Sequence, residues 1–286
     1  LDAVVGVSVP DPATRVQALL SGDAQLTDTI PASAFQQLES SQVAALLDLQ
    51  NPSPFTFDID GSRKPFSDVK VQQAMKMLLD REKMLQLIVG GRGVVSADSL
   101  ISPADPWYPK DLQPPAHDPE KAKALLAEAG VGQFSEKVWT TSAYPYLNEG
   151  ATIGKQFMAE GGITFDIQNV SNDRYLAAFL KEPIVMDYGL RQHPVFMFQL
   201  YYMGSSGSNL SRLKDAQIDS WLNELIATVD EAKQAEIGGE IIRRYTEVSA
   251  ELVPFHFSSF WGGSKKLQGW RADPVANVDL RQATLA

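Results

Sequence analysis

Apolar residues recur at helical spacing along much of this chain. Val71, Ala74, Met75, Leu78 and Leu79 fall at i, i+3, i+4, i+7 and i+8, which places them on one stripe of a helix facing a core. Ile218, Trp221, Leu222, Leu225 and Ile226 form a second stripe, and Ile237, Ile241, Ile242, Tyr245 and Val248 a third. Further helices are predicted over Pro12 to Leu20, over Glu149 to Glu160 ahead of Gly161-Gly162, and over Asn172 to Leu180 ahead of Pro183. Period-two or short apolar runs predict strands at Val4 to Val9, within 22–28, and at Lys137 to Thr141, Ile163 to Val170 and Ile184 to Tyr188. Phe255 to Phe260 alternates in the same way, with Gly262-Gly263 expected to break that strand. From about Pro54 to Val253 helices and strands alternate, as an α/β layer requires. Gly204 to Ser208 reads as a flexible loop, and no internal repeat is visible.

Two helices carry their own boundaries. Ser67 or Asp68 can cap the helix bearing the Val71 stripe. Asp118 is an N-cap candidate, Pro119 suits the first helical position, Glu120 sits in the positive first turn, and Gly130 can take the left-handed conformation after the last turn.

In order and spacing these stretches resemble one family. The chain reads Pro-Phe-Ser-Asp-Val-Lys-Val-Gln-Gln-Ala from Pro65, Asp80-Arg81, a Trp107-Tyr108-Pro109 loop, and Asp-Pro-Glu-Lys-Ala-Lys-Ala-Leu-Leu-Ala-Glu-Ala-Gly from Asp118. This resembles the family 5 extracellular solute-binding proteins, which deliver peptides, nickel chelates or oligosaccharides to ABC importers. Near the start Arg15, Ala18, Leu19, Ser21, Gly22 and Asp23 match the same family. Gln72 stands where the family usually has Arg, and Asp58-Ile-Asp60 replaces its Asn-Thr. The resemblance implies a periplasmic-binding-protein-like α/β fold of class II, cluster C type, covering only the C-terminal half of a typical member. It implies partial lobe I over 1–52, lobe II over 53–253, and a return into lobe I over 254–286.

Composition narrows the chemistry. The 286 residues are 44% hydrophobic with a formal charge of −10, so the chain is globular and lacks the basic footprint that nucleic acid requires. It contains no cysteine, hence no disulfide and no thiolate metal site. No run approaches the ~18 apolar residues of a membrane span, and no targeting segment is expected in the chain. His117, His193 and His256 lack metal-ligand spacing, Gly204-Ser-Ser-Gly is no nucleophile elbow, and Asn209-Leu-Ser211 is only a formal glycosylation sequon.

Binding residues are easier to find than catalytic ones. Trp139, Tyr144 and Tyr146 lie at and beyond the end of a strand, where ligands of α/β sheets bind; each ring also fits a plain core role. Asp187, Tyr188, Leu190, Arg191 and His193 end another strand in a segment resembling the family's ligand loop. Aligned through Tyr188, Gly189 and Pro194, the Asp that holds a peptide's α-amino group in the family falls on Leu190. Arg191 could meet an anionic or sugar ligand or remain a solvated loop charge, and Asp187 could recruit a cation if it faces the cleft. The expectation is a non-enzymatic, monomeric receptor without cofactor or metal. It would be extracytoplasmic, in the periplasm or as a lipoprotein on the outer face of the cytoplasmic membrane. It would bind a small-molecule solute, a peptide or related small molecule, and deliver it to an ABC permease. An extracellular hydrolase or isomerase, and a sensor or chaperone-like module on the same fold, are the alternatives.

Overall fold

A computed structural model describes residues 1–49, 52–144, 146–189, 191–272 and 277–286. Two sheets organise it. In chain order the strands used below are β1 (Leu26–Thr27), β2 (Ala44–Asp48), β3 (Ser53–Ile59), β4 (Gly93–Val95), β5 (Phe134–Thr140), β6 (Ile163–Asn169), β7 (Ile184–Tyr188), β8 (Leu252–Phe257) and β9 (Phe260–Ser264). The helices are α1 (Pro12–Ser21), α2 (Phe35–Ser40), α3 (Val69–Leu78), α4 (Arg81–Val89), α5 (Pro119–Glu128), α6 (Leu147–Glu160), α7 (Asn172–Ala178), α8 (Pro194–Met197), α9 (Ala216–Ala227) and α10 (Glu231–Val248).

The larger sheet has the order β4-β8-β3-β7-β5-β6. β3 lies between β8 and β7 and runs antiparallel to both, whereas β5 runs parallel to β6 and β7. Every residue of β3 is buried, as expected of a strand covered on both faces. On one face Phe55, Phe57 and Ile59 pack under α3, α4 and α6. α6 comes unusually close: a Cβ on Gly150 would stand 2.2 Å from Phe55 Cζ, and one on Gly154 2.6 Å from Phe57 Cζ. Val253 faces the opposite side, into a second core built from Phe198, Tyr202, Leu222, Ile241 and Tyr245.

The smaller sheet, β1-β9-β2, holds α1 against it. Gly262 and Gly263 lie inside β9, paired with β1 and β2, and do not break the strand. Their function is contact: a Cβ on Gly262 would sit 2.5 Å from Leu19 Cδ2 of α1. β8 reaches Phe257, so Pro254 still belongs to the larger sheet.

Local signals set most helix ends. Asp68, not Ser67, caps α3, accepting from Lys70 N at 2.8 Å, and Asp118 accepts from Lys121 N at 2.9 Å. Gly130 adopts φ +68° as expected. Three further expectations fail. Residues 4–9 form no strand, and Val4, Val5 and Val7 are exposed; alternation supplies a face, but no sheet edge pairs with it among the described residues. The strand expected within 22–28 shrinks to Leu26–Thr27. Segment 204–208 is pinned, with Gly204 N donating to Asp219 Oδ1 at 2.8 Å and Ser206 Oγ to the Leu200 carbonyl at 2.5 Å. Asn209 is buried and donates to the carbonyls of Met203 and Leu213, which makes it a structural anchor.

Candidate functional site

Because β5 and β7 are parallel, their carboxyl ends emerge on the same side of the larger sheet. The loop after β5 brings Tyr144 there, and Tyr188 ends β7. Their rings meet edge to face at 6.1 Å, Tyr188 meets Phe257 at 5.7 Å, and Phe257 meets Tyr146 at 5.3 Å. The result is a continuous aromatic wall, with Tyr144 and Tyr188 half-buried and Tyr146 buried. Tyr175 of α7 supports it from behind, 6.0 Å from Tyr144, with its hydroxyl donating to the Met186 carbonyl at 2.8 Å.

Tyr146 is held with unusual firmness. Its φ is +77°, a strained conformation for a bulky residue. Its hydroxyl donates a short hydrogen bond to the carbonyl of Ile30, just past β1 of the smaller sheet. The residue therefore ties the two sheets together. Burial raises the ionisation of Tyr146 and Tyr188 above the ordinary phenol range, so both hydroxyls stay protonated.

Arg15 of α1, on the smaller sheet's side, acts electrostatically on Tyr146 and Tyr188. Its Nη1 donates to Asp28 Oδ1 at 3.0 Å. Its Nε and Nη2 are out of contact with solvent and donate to nothing among the described residues. Those two donors form the parallel edge that a carboxylate fits.

The other expected site residues are distributed differently. Trp139 and Asp187 share the face of the larger sheet that bears Thr56 and Asp58, because Trp139 pairs with Val185 and Thr56 with Asp187. Trp139 Nε1 is buried without a partner. Burial pushes the Asp187 carboxyl up to about 7. Arg191 pairs with Asp105 at 3.3 Å, and His193 caps α8, its Nδ1 accepting from Val195 N at 3.3 Å, while its ring meets Trp107. Leu190 lies outside the described residues. Sequence reasoning missed Arg15, although it stood in a matched motif, and missed the buried carboxyls of Asp58 and Glu251. The replacement of Asn by Asp at position 58 was their only signal.

A two-sheet α/β body with an aromatic wall at strand ends has a periplasmic-binding-protein-like fold. The chain belongs to the bacterial extracellular solute-binding proteins, family 5, whose middle-region model matches residues 1–210. It is 29% identical over 315 residues to the probable di/tripeptide-binding protein 5 of Pseudomonas aeruginosa (strain UCBPP-PA14), covering 100% of this chain and 56% of that one. It is 24% identical over 297 residues to the dipeptide-binding protein of Escherichia coli (strain K12), covering 100% and 55%. The fold matches the dipeptide binding protein from Pseudoalteromonas sp. SM9913, solved with Met-Leu, at a TM-score of 0.88 and 20% identity, over 97% of this chain and 57% of that one. The chain thus spans about half the length of the curated relatives it matches. Among the described residues no helix is long and apolar enough to cross a membrane.

Proposed function

We propose that these residues form one wall of a receptor that captures a peptide-like solute and presents it, without transforming it, to an ABC permease outside the cytoplasm. The larger sheet with its helices would be lobe II, and the β1-β9-β2 sheet with α1 the included part of lobe I. One observation carries the reading: the aromatic wall of Tyr144 and Tyr188 lies at the carboxyl ends of parallel strands, with Arg15 in electrostatic reach of Tyr188, on a family 5 fold. Aromatic faces hold apolar side chains of varied shape, while the unpaired Nε–Nη2 edge of Arg15, covered in this structure, would receive a carboxylate of the solute once uncovered. Tyr146, bonded to Ile30, would sit at the junction about which the lobes close.

Titration calorimetry on the chain joined to its natural upstream residues tests both parts. Saturable binding of members of a short-peptide panel, recovered unchanged, is the expected result; product formation would favour the hydrolase reading. For a peptide that binds, Arg15→Gln should erase the preference for a free C-terminal carboxylate over its amide, about 10-fold or more. A preference that survives Arg15→Gln removes Arg15 from the site and leaves the receptor reading intact.

A further inference from the structure

Behind the aromatic wall, the larger sheet buries more acid than base. Asp58, Asp98 and Glu251 are 5%, 0% and 1% exposed, against Lys76 and Arg81 at 3% and 4%. Arg81 Nη2 donates to Asp98 Oδ2 at 2.6 Å, and Asp98 Oδ1 accepts from Val253 N at 3.0 Å, so that carboxylate is fully accounted for. Lys76 donates to the Thr246 carbonyl at 2.6 Å and acts on Glu251 from α3. Two cations thus face three buried carboxyls. An isolated buried carboxylate costs several kcal/mol or more, so it neutralises instead.

The hydrogen bonds identify which group does so. Neither oxygen of Asp58 has a donor in full hydrogen-bond geometry, although the Thr56 hydroxyl of the same strand is near enough to favour its ionised form slightly. Phe57 pairs with Leu252 across β3 and β8, so the next step sets Asp58 beside Glu251, two acceptors that attract only with a proton between them. Glu251 also accepts from the Tyr245 hydroxyl of α10 at 2.5 Å. From β7, Asp187 stands on the same face one register step away, since Asp58 pairs with Val185 and Thr56 with Asp187. Tyr175 of α7 and Tyr201, of the turn after α8, stand nearby with both phenols kept protonated by burial, and Asp60, Glu182 and Arg212 line a small cleft beside Asp58.

We propose that Asp58 and Glu251 share one proton at neutral pH and that this proton is a latch joining β3, β8 and β7 beneath the solute wall. Asp187 extends the latch to the wall, because its neighbour in β7 is Tyr188. Loss of protons as pH rises puts like charges on adjacent strands and loosens the sheet where the wall is attached. Burial raises both Asp58 and Asp187 above the ordinary carboxyl range. Groups raised in this way contribute stability that is present below their unfolded values and lost as pH rises through the folded ones. For Asp187 that window runs from the usual carboxyl range up to about pH 7, and Asp58 loses its contribution in the same direction.

The test needs no solute. The infrared spectrum of the folded chain at about pH 8 should contain the carbonyl band of a neutral carboxylic acid, which disappears on unfolding in urea. Absence of that band from the folded chain overturns the proposal. The melting temperature of the wild type should fall as pH rises from the usual carboxyl range through about pH 7, and Asp58→Asn, which supplies its own N–H to Glu251, should flatten the fall and remove the band. A folded Asp58→Asn chain that keeps both the band and the full pH dependence also overturns it.

Discussion

At the scale of single residues, burial decides the chemistry of several side chains that look ordinary in the sequence. His256 is the clearest. It is fully buried in β8, with Nε2 3.3 Å from the Leu100 carbonyl and Nδ1 without a partner, and burial lowers its ionisation to about 4. A depressed histidine contributes stability that is present above the unfolded value of about 6.5 and lost as pH falls towards about 4. The chain should lose about 3 kcal/mol through this group across that window, read as a shift in urea midpoint, and His256→Gln should remove most of the shift. An unchanged acid dependence in that variant would place the loss elsewhere. Position 256 was legible only as a histidine without ligand spacing, since no local pattern specifies the depth of a residue within a sheet. Arg15 is similar: the motif marked it, but its two unpaired donors are buried only because α1 packs on β1 and β9 of the smaller sheet.

Elements follow local chemistry more closely. Aspartate caps, Pro119 and Gly130 set α3 and α5 where the sequence placed them, because a cap acts within one turn. The α9 stripe shows the limit of periodicity: Ile218, Leu222 and Leu225 are buried, but Ile226 is 45% exposed at the stripe's edge. Glycines deceive more often. Gly150 and Gly154 lie in mid-helix, where propensity alone would favour alanine, yet they let α6 settle onto Phe55 and Phe57. Gly150→Ala should therefore destabilise by about 1–3 kcal/mol through overpacking, measured as a fall in urea midpoint with an unchanged slope. A stabilised variant would mean that α6 can move away at no cost.

At the scale of the whole molecule, two sheets meet at the crossings from β2 to β3 and from β8 to β9, and Tyr146 bridges them through Ile30. The wall of Tyr144 and Tyr188 borders that junction, which suits a site that closes by rotation of one part on the other. The curated relatives are nearly twice as long as this chain. Titrated without further residues, the 286-residue chain should bind short peptides weakly, in the high micromolar range (~100 μM) or above, because docking entropy is offset by only one wall. Nanomolar binding by this chain alone would mean that the wall is self-sufficient.

The sequence by itself determined the α/β alternation, the helix ends and the family, because each rests on short-range periodicity, capping or contiguous motif. It also placed aromatic rings at the ends of β5 and β7. Only the tertiary structure decided that Tyr144, Tyr146 and Tyr188 share a wall with Phe257 while Trp139 and Asp187 turn to the opposite face. It alone drew Arg191 and His193 into contacts with Asp105 and α8, left residues 4–9 outside any sheet, and brought Asp58 against Glu251. Those outcomes depend on strand register and on burial contributed by distant segments, and neither is encoded in the spacing of neighbouring residues.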